Sequence, residues 1–136
     1  MVNEEFQELA RQTLLPVILG HGLRAHRFAA SLYRRSGVQS MVCGSRRSLL
    51  DLLDPNTFFL PLFHQRHPLL AAEQLMDFAR CYEDLILLLI PVGEEQRSFG
   101  DDHRELLEGR YIFCNPQEVA DCPPMKKLRE EKGWIQ

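Results

Sequence analysis

Apolar positions fall along this chain in short, dense runs that alternate with longer amphipathic stretches. Val17, Ile18 and Leu19 form a continuous apolar run bounded by Pro16 and Gly20, as in a strand covered on both faces. From Arg24 to Arg35 the apolar residues Ala25, Phe28, Ala29 and Leu32 recur at helical spacing, with Gly37 placed as the C-terminal stop. Residues 38–43 predict the next strand, residues 48–53 a helical turn halted by Asp54-Pro55, and residues 58–63 a further extended segment. A helix is predicted over residues 68–82 with Leu69, Ala72, Leu75, Met76 and Ala79 inward. The most apolar strand, residues 85–91, is expected at the centre of the sheet. Residues 93–107 read as loop plus helix, 111–114 as a last strand, and 123–136 as a short charged helix followed by Trp134. At the other end Asn3 can cap a short amphipathic helix carrying Phe6, Leu9 and Ala10 on one face and ended by Pro16.

Alternation of this kind predicts an α/β domain: a Rossmann-like, three-layer arrangement of four to five mainly parallel strands with helices on both faces. No linker, repeat or low-complexity stretch divides the 136 residues, so a single domain is expected, flanked by an N-terminal helix (1–15) and a C-terminal helix and tail (123–136). A chain of this length hides roughly two-thirds of its unfolded surface.

Composition adds mostly exclusions. The net charge of −3 gives no electrostatic reason to expect nucleic acid or an anionic membrane as partner. The longest apolar run, residues 85–92, is too short to span a bilayer, and residues 1–15 carry four charges and no apolar signal core. A cytoplasmic location is the resulting expectation. Cys43, Cys81, Cys114 and Cys122 are scattered without a C-x-x-C pair, which predicts buried reduced thiols rather than a disulfide framework or zinc site.

Candidate chemistry centres on the turn after the first strand. Gly20-His21-Gly22-Leu23-Arg24-Ala25 fits G-x-G-x-x-A between strand and helix, where glycines let a phosphate approach the backbone and the helix amides meet its charge. About 20 residues on, where NAD enzymes carry an acid, this chain has Ser45-Arg46-Arg47, which suits the 2′-phosphate of NADP. A strand-to-helix turn of small residues with a solvated basic helix start accounts for the same pattern. At the end of the apolar strand, Gly93-Glu94-Glu95 places paired carboxylates that could orient an amine, or simply open a charged helix. His64 and His67 form H-x-x-H in a loop without further ligands at metal spacing, and read as surface imidazoles. His21 is better placed than His26 to touch a ligand, and His103 is expected to be exposed. No G-x-S-x-G elbow or Walker loop is present.

Several of these stretches together resemble one superfamily. Pro16-Val17-Ile18-Leu19-Gly20, Ala25 to Ser31, and Gly37-Val38-Gln39-Ser40 resemble the opening unit of ATP-grasp carboxylate-amine ligases, the group that includes D-aspartate ligase-like proteins and relatives of carbamoyl phosphate synthase and biotin carboxylase. Leu87-Leu88-Leu89-Ile90-Pro91-Val92-Gly93-Glu94 is similar to the family strand ending Pro-x-Gly-Asp. His103 to Leu106, Tyr111 to Phe113 and the Lys-rich segment from Met125 follow in matching order. The chain departs from the family at Gly20-His21-Gly22, where members usually read Gly-Gly-Asp. The sequence stops at Gln136, where the resemblance places the ATP-grasp module with its phosphate-binding lysines and magnesium ligands.

The resemblance implies a pre-ATP-grasp domain that forms one wall of a substrate cleft and is not catalytic by itself. ATP and magnesium are then implied only for a full-length member. Gly20, His21, Gly22, Arg24, Ser45, Arg46, Gly93 and Glu94 are the candidate ligand contacts, and the missing module or a separate catalytic subunit is the expected partner. The alternatives are a stand-alone interaction protein, pairing with itself or with a catalytic subunit through a surface that includes Trp134 and Ile135, and an NADP-binding domain.

Overall fold

A computed structural model describes residues 13–20, 22–44, 54, 57–62 and 66–132. Their order is β1 (Leu14–Leu19), α1 (Gly22–Ser36), β2 (Ser40–Gly44), β3 (Thr57–Pro61), α2 (Pro68–Cys81), β4 (Ile86–Pro91), α3 (Glu94–Asp102), α4 (Arg104–Leu107), β5 (Tyr111–Phe113), a 3-10 turn (Pro116–Asp121) and α5 (Pro123–Lys132). The five strands form one sheet in the order β3-β2-β1-β4-β5, every neighbouring pair parallel. This is the Rossmann-like, three-layer α/β fold that the alternation predicts.

Strand residues alternate between two cores although nearly all are buried. Leu15, Val17 and Leu19 join Met41, Cys43, Leu87 and Leu89 on one face, under Ala72, Leu75 and Ala79 of α2, Phe99 of α3 and Leu107 of α4. Ile18, Val42, Leu88 and Ile90 point to the other face, against Ala25, Ala29 and Leu32 of α1 and Met125 and Leu128 of α5. Side chains with a period of two thus give each helix layer its own apolar surface. The Tyr111 hydroxyl donates to the Leu75 carbonyl at 2.6 Å, and Arg110 donates to the carbonyls of Ala79 and Tyr82, both at 3.2 Å, which fixes the end of α2 against β5.

Several sequence expectations shift. Leu14 and Leu15, assigned to an N-terminal helix ended by Pro16, instead open β1, and Pro16 lies within that strand. Proline is tolerated there because pairing with β2 starts only at Val17, so β2's ladder takes nothing from Pro16. The middle position belongs to β1, with the apolar β4 beside it. In α2 the inward face is Ala71, Ala72, Leu75, Phe78 and Ala79, whereas Leu69 projects from the first turn into solvent. The predicted loop and helix over residues 93–107 is two helices broken at His103, whose ring is half-buried beside Phe99 rather than exposed, its Nδ1 3.0 Å from the Phe99 carbonyl oxygen. Cys43, Cys114 and Cys122 are buried and free as expected, but Cys81 is exposed. The predicted N-terminal helix before Thr13, the helical turn over residues 48–53, His64 and Trp134 lie outside the described residues.

Candidate functional site

Strand order reverses between β1 and β4. The connection from β1 runs through α1 on one face to β2, whereas that from β4 runs through α3 and α4 on the other face to β5. Connections that leave in opposite directions open a crevice at the carboxyl ends of the two strands, which is where open α/β sheets hold ligands.

Glycines build the floor of that crevice. Gly20 follows β1 with φ +157°, and its N–H donates to the Cys43 carbonyl at 3.0 Å, while the Val92 N–H donates to the Leu19 carbonyl at 2.8 Å. These bonds carry the sheet one residue beyond its strands and bring the two chain ends together. A Cβ on Gly20 would lie in ordinary contact with the Val92 Cβ at 3.4 Å and that of Ala25 at 3.7 Å, so the backbone φ of +157°, not the space, favours glycine here. Gly22 opens α1 with φ +73°, and no atom of the described residues lies within 4 Å of where its Cβ would sit. Across the crevice Gly93 (φ +144°) precedes α3, and the Gln96 carboxamide oxygen occupies the position its Cβ would take.

The two helix starts are electrically unlike. The first turn of α1 holds no acidic residue, and exposed Arg24 adds positive charge to the helix N-terminus. The first turn of α3 carries Glu94 and Glu95, which offset the positive end of that helix. Gly20, Gly22 and Arg24 thus follow the end of β1, and Gly93 and Glu94 the end of the neighbouring β4, so the two adjacent strand ends lead into helix starts of unlike charge. His21, Ser45 and Arg46 lie outside the described residues. Glu94 and Glu95 also border an open groove of about 630 Å³ floored by Phe99 and closed at one end by Pro68.

Nothing matches this chain among family models, curated proteins or solved structures. The site's own chemistry has to carry the functional reading.

Burial pushes the Cys43 thiol, beneath the crevice, well above the usual thiol range, so it stays protonated and a poor nucleophile. Burial first, with the Cys43 thiol adding to it and Arg110 opposing, does the same to the Tyr111 phenol. Among the described residues no group of three or more His, Cys, Asp or Glu side chains is placed to hold a metal ion, and no helix is long and apolar enough to cross a membrane.

Two features escaped the sequence reading. Gln96 is buried, on the face of α3 that also carries Phe99 and Gly100, and sits directly over Gly93. Its signal was the spacing Gln96, Phe99, Gly100, which puts a polar residue on an inward helical face. His26 is buried in α1, and its Nδ1 lies 2.7 Å from Oδ2 of Asp54. No local pattern could have paired residues 28 positions apart.

Proposed function

We propose that this chain is the substrate-cleft domain of an ATP-dependent carboxylate-amine ligase and does not catalyse by itself. The observation that carries the reading is the convergence of glycines where β1 and β4 end side by side, with Arg24 in the first turn of the helix after one strand and Glu94 in that after the other. Such a place suits a small polar molecule, and the Cys43 thiol beneath it is held protonated by burial. The family resemblance in the strand ends around Gly20 and Gly93 names the reaction class.

Leu23, Leu69 and Leu70 support a second body on this edge. They are the most exposed large apolar residues among those described, each more than half open to solvent. All three lie in the first turns of helices that begin at the carboxyl edge of the sheet. Apolar surface gathered beside a ligand crevice suits a covering partner, which in this reading supplies the ATP-binding module. The same leucines suit a self-paired or separately encoded partner, the alternative reading.

The test is phosphate release from ATP by the purified 136-residue chain with magnesium, together with the intact mass of the polypeptide in its source cells. No turnover, and either a species several-fold heavier than 15.8 kDa or a co-purifying ATPase, are the expected results. Magnesium-dependent turnover by the chain alone overturns the proposal.

A further inference from the structure

A second pocket lies one strand away from the crevice, at the carboxyl ends of β4 and β5. It encloses about 130 Å³ between α3 and the 3-10 turn, with Leu89 and Phe113 in its floor. Charged groups of both signs line it, yet they are not all paired. Arg104 stacks over the Phe113 ring at 4.3 Å and is neutralised by Asp101 at 3.5 Å and Glu108 at 2.9 Å. Arg97 on α3 and Glu118 on the turn line the same pocket, and neither forms an ion pair among the described residues. Asn115, at the start of the turn, adds a carboxamide that caps nothing.

Arg97 and Glu118 line one small pocket without pairing to each other, which favours a guest that meets both charges. A simple anion at Arg97 would face the Glu118 carboxylate, and a simple cation at Glu118 would face the guanidinium. A molecule with both charges satisfies both walls, its carboxylate in the guanidinium fork and its ammonium on Glu118. At about 130 Å³ the pocket has room for a guest of about benzene's size or smaller.

We propose that this pocket binds a small zwitterion, a free amino acid with a short side chain. The site shares no charged residue with the β1–β4 crevice and stands independently of the ligase reading.

The experiment is a titration of the isotopically labelled 136-residue chain with glycine, alanine and serine, followed by amide chemical shifts, with acetate and methylamine as single-charge controls. Saturable shifts centred on residues 97–101 and 114–118 are expected. Affinity should be about tenfold weaker or worse in Arg97→Met and in Glu118→Gln. Both substitutions lie on exposed side chains, and an unchanged circular dichroism melt confirms that each variant is folded. Absence of shifts at those residues, equal affinity in either variant, or acetate binding as well as glycine each overturns the proposal.

Discussion

His26 and Asp54 form a buried pair that joins helix α1 to the chain just ahead of β3, Nδ1 to Oδ2 at 2.7 Å, with 6% and 18% of their side chains exposed. Removing the carboxylate leaves the imidazole buried without this partner, a loss of about 1–3 kcal/mol. Asp54→Ala is expected to lower the unfolding free energy by that amount, read as a lower urea midpoint with little change in slope. Asp54→Asn, which keeps a hydrogen-bonding oxygen, should lose less. Equal stability of Asp54→Ala and the parent chain would show that the pair contributes nothing to the fold.

Gly93 and Gln96 are coupled through space that only one of them can fill. A methyl group on Gly93 meets the Gln96 carboxamide and forces a residue with a side chain to adopt φ +144°. Gly93→Ala should therefore cost about 1–3 kcal/mol from backbone strain alone, and more from the collision. In a double-mutant cycle Gln96→Ala should relieve the collision and leave the strain, giving a coupling of about 0.5 kcal/mol or more. Strict additivity in urea denaturation would contradict the arrangement.

Burial fixes the alkaline behaviour of the fold. The Cys114 thiol is pushed from 9.0 up to about 12 by burial first, then by its hydrogen bond to Cys122 and by the charges of Cys122 and Glu118. The folded chain thus holds this proton more tightly than the unfolded chain. The contribution is complete below about pH 9 and is lost as pH rises through the folded value near 12. Cys43 acts in the same direction. Urea midpoints should fall from neutral pH towards about pH 10.5, and Cys114→Ala should flatten that decline. A midpoint that rises with pH over this range would reverse the sign.

Leu69 and Leu70 give a test that separates folding from association. Both are exposed, so Leu69→Gln and Leu70→Gln should alter stability by no more than about 0.5 kcal/mol. Any complex formed by the carboxyl edge of the sheet should weaken at the same time, read by sedimentation velocity or by recovery of the partner. A loss of stability without a loss of association would place these leucines in the fold rather than at an interface.

The sequence reading succeeded where one element's pattern was enough. Gly37 was legible as a helix stop, and it has φ +73° with its N–H bonded to the Tyr33 carbonyl at 2.8 Å. The run over residues 85–91 was legible as the most apolar strand, and it forms β4, with Leu87 to Ile90 fully buried next to the central β1. The reading failed where position depended on neighbours. Pro16 was taken as a boundary because its tolerance in β1 depends on where β2 begins to pair. Leu69 was placed inside because helical spacing cannot show that the first turn of α2 overhangs the sheet. In the candidate site, glycines 20 and 93 were legible as turns, but their convergence follows only from the strand order. Arg97 and Glu118 carried no signal, since nothing in one dimension brings a residue of α3 and one of the 3-10 turn to the same pocket.

The placement of β1 governs how the chain must acquire its structure. Its two partners come from very different distances along the polypeptide: β2 follows after one helix, whereas β4 begins at Ile86. Until residues 86–91 have left the ribosome, the central strand carries an open hydrogen-bonding edge of apolar residues, the situation that invites aggregation. Every truncation ahead of β4 leaves that edge bare. Closure waits on a long-range contact, so folding should be slow for a chain of this size, and completion of the sheet and assembly of the β1–β4 crevice are one and the same event.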